Sequence, residues 1–250
     1  MKNEHLDKIA ANLRIVMVET THPGNIGAAA RAMKNMGQQN LYLVKPKIYP
    51  SAEVTARAAG ADDILARAVV CDSLQDAIKD CALVVATTAR TRTIPWPVST
   101  PRETMPEIIN ATASGQVAIV FGRESSGLNN EELELCNMAM QIPADPDFSS
   151  LNVASAIQII CYELLQTMMS GEVQEINKQI SPPATAGQMQ LFYEHLAECM
   201  TDIGYYDPEV PRSLMRRMKR LFNRARLDRD EMNILRGLLS SIQEAVGKKK

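Results

Sequence analysis

At 250 residues, 46% hydrophobic and 22% charged, the chain suits one substantial soluble domain with an appendage, and it holds no apolar run long enough for a bilayer and no leader-like N-terminus. The net charge of −2 hides a split, because residues 1–210 carry 15 Lys and Arg against 25 Asp and Glu while residues 211–250 carry 12 against 4. An acidic body with a basic end points to an anionic partner for that end, usually nucleic acid, and a cytoplasmic location is expected.

In chain order, Leu13–Val18 reads as a strand, and the loop Glu19–Asn25 opens an Ala-rich helix over Ile26–Met36 that Gly37 closes. A strand at Asn40–Val44 is stopped by Pro46, and a short helix is expected within Lys47–Ala61. A strand at Ala68–Cys71 precedes a helix over Ser73–Lys79 with Ser73 as its N-cap. Cys81–Ala86 is a buried strand and leads into the loop Thr87–Pro101. Thr104–Ala111 is a helix, Gln116–Phe121 a strand, and Asn130–Cys136 a helix with acids in its first turn. Ala139–Ile142 makes the last strand, and a long helix over Leu151–Met169 follows the loop Pro143–Ser150.

Short apolar strands with little polar alternation, separated by helices, predict an α/β domain. Its mainly parallel sheet would be covered on both faces and span residues 1–170. Residues 171–187, with Pro182-Pro183, read as a linker. Residues 188–250 read as a basic helical extension of three helices, Gln188–Ile203, Pro211–Arg226 and Asp228–Val246. Pro211 suits a first helical turn and Asp228-x-x-Glu231 a capping box.

On the middle helix of the extension, Leu214, Met218, Leu221, Phe222 and Ala225 cluster on one side. Arg212, Arg216, Arg217, Lys219, Arg220, Arg224 and Arg226 occupy the remainder, and no acid interrupts them. Seven cations so crowded repel one another unless an anion is near. The phosphate backbone of a nucleic acid is the expected target, because the stripe lacks base-reading chemistry.

Four polar loops, two of them Gly-containing, leave the C-terminal ends of predicted parallel strands: Thr20–Gly27, Thr87–Pro97, Gly122–Leu128 and Pro143–Ser150. That sheet edge is where open α/β folds bind ligands. Several chemistries are excluded. There is no G-x-x-x-x-G-K-[ST] phosphate loop, no G-x-G turn and no G-x-S-x-G elbow. His5, His22 and His195 are too dispersed for a metal cluster. Cys71, Cys81, Cys136, Cys161 and Cys199 are odd in number, never spaced C-x-x-C, and read as reduced thiols.

Three ordered stretches carry a resemblance: N-I-G-A-A-A-R-A-M at 25–33, I-V-F-G-R-E-S-S-G-L at 119–128, and I-P-A-D-P-D-F-S-S-L-N-V-A-S-A at 142–156. They are similar to the motifs of the TrmH-type RNA 2′-O-ribose methyltransferases of the SPOUT superfamily. The loop T-T-A-R-T-R-T-I-P-W-P at 87–97 and the basic tail resemble the TrmJ branch of that family, which methylates cytidine or uridine at nucleotide 32 of the tRNA anticodon loop. The resemblance implies a deep C-terminal trefoil knot, which general fold rules argue against. It also implies a pocket for S-adenosylmethionine, a homodimer, tRNA as partner, and no metal.

Carried over by motif, the cofactor would touch Thr87, Thr88, Ala89, Gly122, Ile142, Ser149, Ser150 and Leu151. Gly122 would allow its close approach, and Gly127 would serve backbone geometry. Arg31 matches the motif's arginine. As a guanidinium it stays protonated, so it is expected to grip the phosphate beside the target ribose and stabilise developing alkoxide charge rather than act as a base. Asn25, Glu124, Ser150 and Asn152 complete the expected catalytic set. Asn25 would order the loop or bind ribose, Glu124 would hold motif loops or meet the partner subunit, and Asn152 would cap the following helix. Arg90, Arg92 and Arg123, in site loops on an acidic body, are expected to contact RNA phosphate, and Trp96 to anchor the core or a dimer contact. Ribosomal RNA as the substrate, or a non-catalytic RNA-binding protein on the same scaffold, are the competing readings.

Overall fold

The strands form because their apolar residues are wanted on both sides. In a computed structural model, which describes residues 4–89, 98–170, 181–210 and 213–247, seven strands make one sheet in which every pairing is parallel. They are β1 (Leu13–Val18), β2 (Asn40–Val44), β3 (Val69–Cys71), β4 (Cys81–Thr87), β5 (Val98–Ser99), β6 (Gln116–Phe121) and β7 (Met138–Met140), in the order β3-β2-β1-β6-β4-β7-β5. Alternate residues of each central strand face opposite ways. Ile15, Met17, Val85, Ile119 and Phe121 enter one core; Val16, Val18, Val84, Ala118 and Val120 enter the other.

Helices cover both faces. The first core is closed by α2 (Pro23–Asn35), α3 (Ala52–Ala58), α4 (Asp62–Arg67), α6 (Pro101–Ser114) and α8 (Val153–Ser170), and α1 (Glu4–Asn12) packs beside α6. The second is closed by α5 (Leu74–Ile78) and α7 (Asn130–Leu133). Gly27 shows how close this packing is. A Cβ there would lie 2.1 Å from the Val54 carbonyl oxygen, so the glycine of the first motif lets α2 meet α3.

The expected α/β architecture is present, and the differences are local. α2 begins at Pro23, because proline suits the first helical position after the extended His22. The helix expected within Lys47–Ala61 is α3 alone, capped by Ser51 and ended where Ala59 turns left-handed, and α4 follows unexpectedly. β5 is a two-residue edge strand inside what read as loop. α6 starts at Pro101 because Thr100 and Glu103 form a capping box. α1 was not foreseen.

The extension is a small bundle with its own core. Phe192, Tyr193, Leu196 and Met200 of α9 (Ala186–Asp202) meet Met218 and Phe222 of α10 (Leu214–Ala225) and Met232 and Leu239 of α11 (Arg229–Gly247). The expected capping box at Asp228 and Glu231 forms, with both reciprocal bonds in place. Ser181–Thr185, read as linker, belong to this bundle: Ala184 N–H donates to Leu227 O, and Arg229 N–H to Pro182 O. Residues 171–180 and Pro211 lie outside the described residues. The bundle docks on the sheet domain, where Gly187 N–H donates to Lys79 O at 2.9 Å. Asn223, 4% exposed, donates to Glu134 O at 2.8 Å and Cys136 O at 3.3 Å. No described helix is long and apolar enough to cross a membrane.

Candidate active site

The C-terminal ends of β4, β6 and β7, three adjacent strands, open into a cavity of about 800 Å³ including its mouth. All eight residues expected at a cofactor line it: Thr87, Thr88 and Ala89 after β4, Gly122 after β6, Ile142 after β7, and Ser149, Ser150 and Leu151 before α8. Phe121, Leu128, Met140 and Val153 add apolar surface that was not singled out. Two bonds tie the walls together. Thr87 Oγ1 donates to Val120 O at 3.0 Å, and Thr88 N–H to Met140 O at 3.0 Å.

The wall between Gly122 and Leu128 is a tight reversal. Arg123 and Gly127 exchange backbone bonds, N–H to O, at 3.2 and 2.9 Å. Gly127 sits at φ +68°, in the left-handed region that glycine adopts without steric cost, as expected. Gly122 has a further constraint besides the close approach expected of it. A Cβ there would lie 2.1 Å from Gly127 C and 2.2 Å from Leu128 N, so it is the returning backbone that excludes a side chain.

Arg123, expected on RNA, is instead held by two carboxylates. Its Nη1 and Nη2 donate to the two Glu132 oxygens, each at 2.9 Å, and its Nε donates to Glu19 Oε2 at 2.9 Å. Its Nη2 also lies 2.7 Å from Glu19 Oε1. The hydrogen bonds to Glu132, then those to Glu19, raise the guanidinium pKa further, and the Arg123 bond draws the Glu19 carboxyl below its ordinary range. Glu19 makes this contact from a left-handed backbone, φ 47°, an uncommon conformation for a residue with a side chain. Glu132 also closes a capping box with Asn129, and neither of its two roles was singled out from the sequence.

Glu124, Asn25 and Asn152 come together. The Glu124 carboxylate accepts from Thr21 N–H at 3.1 Å, from His22 N–H at 3.3 Å and from Asn25 Nδ2 at 3.0 Å. Asn152 Nδ2 donates to Asn25 Oδ1 at 3.0 Å, while its own Oδ1 accepts from Ala154 N–H at 2.9 Å at the start of α8. One chain of side-chain bonds thus joins all three motif loops. Burial opposes ionisation of Glu124, but the bonds from Asn25 and from backbone N–H groups outweigh it and hold the carboxyl below the usual range. Ser150 lines the cavity. Arg31 stands on α2, exposed, outside the cavity lining, and it makes no ion pair among the described residues. Glu19, the acid at the end of β1, is paired with Arg123.

The remaining expectations divide. Arg90, Arg92, Trp96 and Arg212 lie outside the described residues. On α10 the cations are not equivalent: Arg216 Nε meets Glu134 Oε1 at 2.5 Å, Lys219 Nζ lies 3.9 Å from Glu134 Oε2, and Arg226 pairs with Glu107. All five cysteines are unpaired, and burial pushes the Cys81 and Cys161 thiols up to about 12. Among the described residues no group of three or more His, Cys, Asp or Glu is placed to hold a metal ion.

Comparison with known proteins agrees with this geometry. The SpoU rRNA Methylase family model matches residues 12–162, and the model of the tRNA methyltransferase TrmJ C-terminal domain matches residues 187–250. The chain is 46% identical over 241 residues to the tRNA (cytidine/uridine/adenosine-2′-O-)-methyltransferase TrmJ of Pseudomonas aeruginosa, covering 93% of this chain and 94% of that one. It is 44% identical over 237 residues to the tRNA (cytidine/uridine-2′-O-)-methyltransferase TrmJ of Escherichia coli, covering 93% and 96%. Among solved structures, TrmJ from Z. mobilis superposes with a TM-score of 0.80 at 32% identity, covering 92% of this chain and 98% of that one.

Proposed function

Since the chain belongs to the SpoU rRNA methylase family and, within it, to the TrmJ tRNA methyltransferases, we propose that it methylates a ribose 2′-oxygen of tRNA. The methyl donor is S-adenosylmethionine, and the target is cytidine or uridine at nucleotide 32 of the anticodon loop. The enzyme acts as a cytoplasmic homodimer. One observation carries the reading: the loops that follow β4, β6 and β7 line one cavity, and the first motif is bonded to its wall through Glu124, Asn25 and Asn152.

The cavity suits that cofactor. Its lining combines apolar surface with a few polar groups, as small-molecule sites do. Phe121, Leu128, Met140, Ile142 and Val153 offer apolar surface to an adenine ring, and Thr87, Ser149 and Ser150 bring hydroxyl groups. With Arg123 neutralised by Glu19 and Glu132, the ionised Glu124 leaves the lining negative, which favours a cationic sulfonium. The trefoil crossing expected around this cavity belongs to the same reading.

When bound, S-adenosylmethionine supplies an electrophilic methyl group. The chain must then align a ribose hydroxyl with it, help the proton leave, and exclude water. Glu124 is poorly suited as the base. Its carboxylate already accepts three donors, so its work is to hold the loop Thr21–Asn25 against the cavity wall. Ser150, in the cavity lining, hydrogen-bonds the ribose. Arg31, permanently charged, holds the phosphate beside the target and stabilises negative charge growing on the 2′-oxygen. Arg90 and Arg92 take RNA phosphate as well.

Incubation with methyl-labelled S-adenosylmethionine and total tRNA from cells lacking the activity, followed by mapping of the modified nucleotide, tests the proposal. Label on the ribose of nucleotide 32 is expected. No transfer to any tRNA refutes it, and transfer to ribosomal RNA alone selects the competing substrate, against which the TrmJ-type C-terminal domain argues.

A further inference from the structure

Two rows of polar side chains run along α10, one residue apart. Arg216, Lys219 and Asn223 recur at i, i+3 and i+7, a single helical face, and Arg226 follows them at the left-handed residue that ends the helix. Each of them touches the sheet domain. Arg216 and Lys219 meet Glu134, Asn223 caps the Glu134 and Cys136 carbonyls, and Arg226 meets Glu107 and, at 3.7 Å, the Met138 sulfur. Asn223 is also bonded to Tyr193 Oη at 2.7 Å. A helix held at four successive points, one of them buried, cannot roll about its axis.

Arg217, Arg220 and Arg224 repeat the same i, i+3, i+7 spacing on the next row. Arg217 and Arg224 are exposed, and Leu221 between them is 46% exposed. Among the described residues none of the three pairs with a carboxylate; Arg217 Nε reaches only the Ser213 hydroxyl, at 3.3 Å. The Arg220 Nε is buried with no hydrogen-bond partner. Buried donors in folded proteins nearly always have partners, so this one asks for an explanation. Three guanidinium groups spread over about 10 Å of helix repel one another, and among the described residues no carboxylate pairs with them to offset it.

We propose that the two rows have separate duties within the tRNA reading above, on which this inference rests. Arg217, Arg220 and Arg224 form a ridge that grips the RNA phosphate backbone, for which a planar fork of donors is well shaped. Arg216, Lys219, Asn223 and Arg226 are positioning residues: they fix the rotation of α10 so that the ridge faces outward, and they take no phosphate themselves. The basic stripe is therefore half interface and half anchor.

Affinity of the full-length protein for tRNA, measured across a salt series, separates the rows, because each phosphate-bound cation adds about 0.7–0.9 to the slope of log K against log salt. Arg217→Gln/Arg220→Gln/Arg224→Gln is expected to weaken binding at low salt and reduce the slope by about 2–3. Arg216→Gln is expected to raise Kd severalfold with the slope unchanged, and Arg216→Lys to recover it. Glu134→Gln, which keeps both partners but removes the carboxylate charge, is likewise expected to leave the slope alone. Circular dichroism of each variant checks that the helices persist. An Arg216→Gln slope that falls as much as the Arg220→Gln slope overturns the division of duties. A triple variant with an unchanged slope places the RNA elsewhere and overturns the ridge, while leaving the tRNA reading intact. Parent protein that binds no tRNA at any salt defeats the reading itself.

Discussion

Replacing Arg123 with Met removes a guanidinium joined to two carboxylates. The Glu132 limb is the costlier one, because Glu132 is 12% and Arg123 21% exposed at the side chain and both bonds are 2.9 Å long. Breaking a buried pair by deleting one partner costs about 3–5 kcal/mol, chiefly through the charge left behind. Glu132 keeps its bond from Asn129 N–H at 2.7 Å, which moves the figure to the low end. The Glu19 limb, 40% exposed on the acid's side, adds no more than about 1 kcal/mol after solvent screening. The expected loss is about 3 kcal/mol, which corresponds to a fall in Tm of about 6–12 °C for a chain of this size. Arg123→Lys keeps the charge but not the fork and is expected to recover less than half. Urea denaturation at pH 7 reads these values. A Met variant within about 1 kcal/mol of the parent, or a Lys variant equal to it, refutes the structural role. A tRNA salt slope lowered by about 1 in Arg123→Met restores Arg123 as a phosphate contact.

Other perturbations bear on the loops and the docking. Glu124→Gln is expected to cost about 1–2 kcal/mol at pH 7. Because the native carboxyl lies below its ordinary value, its contribution is complete above about pH 4.3 and is lost as pH falls through the native value. The deficit against the parent therefore narrows in acid; a deficit that stays constant in denaturation curves from pH 7 down to pH 3.5 would count against this. Gly122→Ala is expected to cost at least about 3 kcal/mol and abolish cofactor binding, since backbone must move, whereas Gly127→Ala, strained but in open space, costs about 1 kcal/mol. Calorimetric titration and urea melts that find the two variants equally mild contradict that assignment. Asn223→Ala leaves the Glu134 and Cys136 carbonyls short of a donor, while the Tyr193 hydroxyl keeps only its 3.3 Å bond to Lys219 O, for an expected loss of about 2–4 kcal/mol. Hydrogen exchange should quicken across α9, α10 and α11; unchanged protection there would show that the docking does not depend on Asn223.

Much of the site was legible because its parts are contiguous in sequence. Thr87–Ala89, Gly122 and Ser149–Leu151 each follow or precede a regular element, and a parallel sheet brings such loops to one edge, so their convergence on one cavity follows from strand polarity. Partners distant in sequence were not legible. Nothing in G-R-E-S-S-G says that Glu19 and Glu132 will close on Arg123, or that the backbone of Gly127 and Leu128 will return against Gly122. Short elements such as α4 and β5 escaped for another reason: six or two residues hold too little periodicity to compete with their loop-like surroundings.

By itself the sequence determined the two-sided parallel sheet, since unbroken apolar runs tolerate no solvent face, and it singled out the three loops that line the cavity. It also determined that the C-terminal segment is basic. Only the tertiary structure decided how that charge is divided. A helical wheel places Arg216 and Arg217 alike in the polar arc of α10, and the carboxylate of Glu134, far away in the chain, is what turns one into an anchor and leaves the other facing outward. Local pattern sets which residues can be charged neighbours on a helix. Which of them meets an opposite charge depends on the surface the helix lands on, and no local pattern encodes that surface.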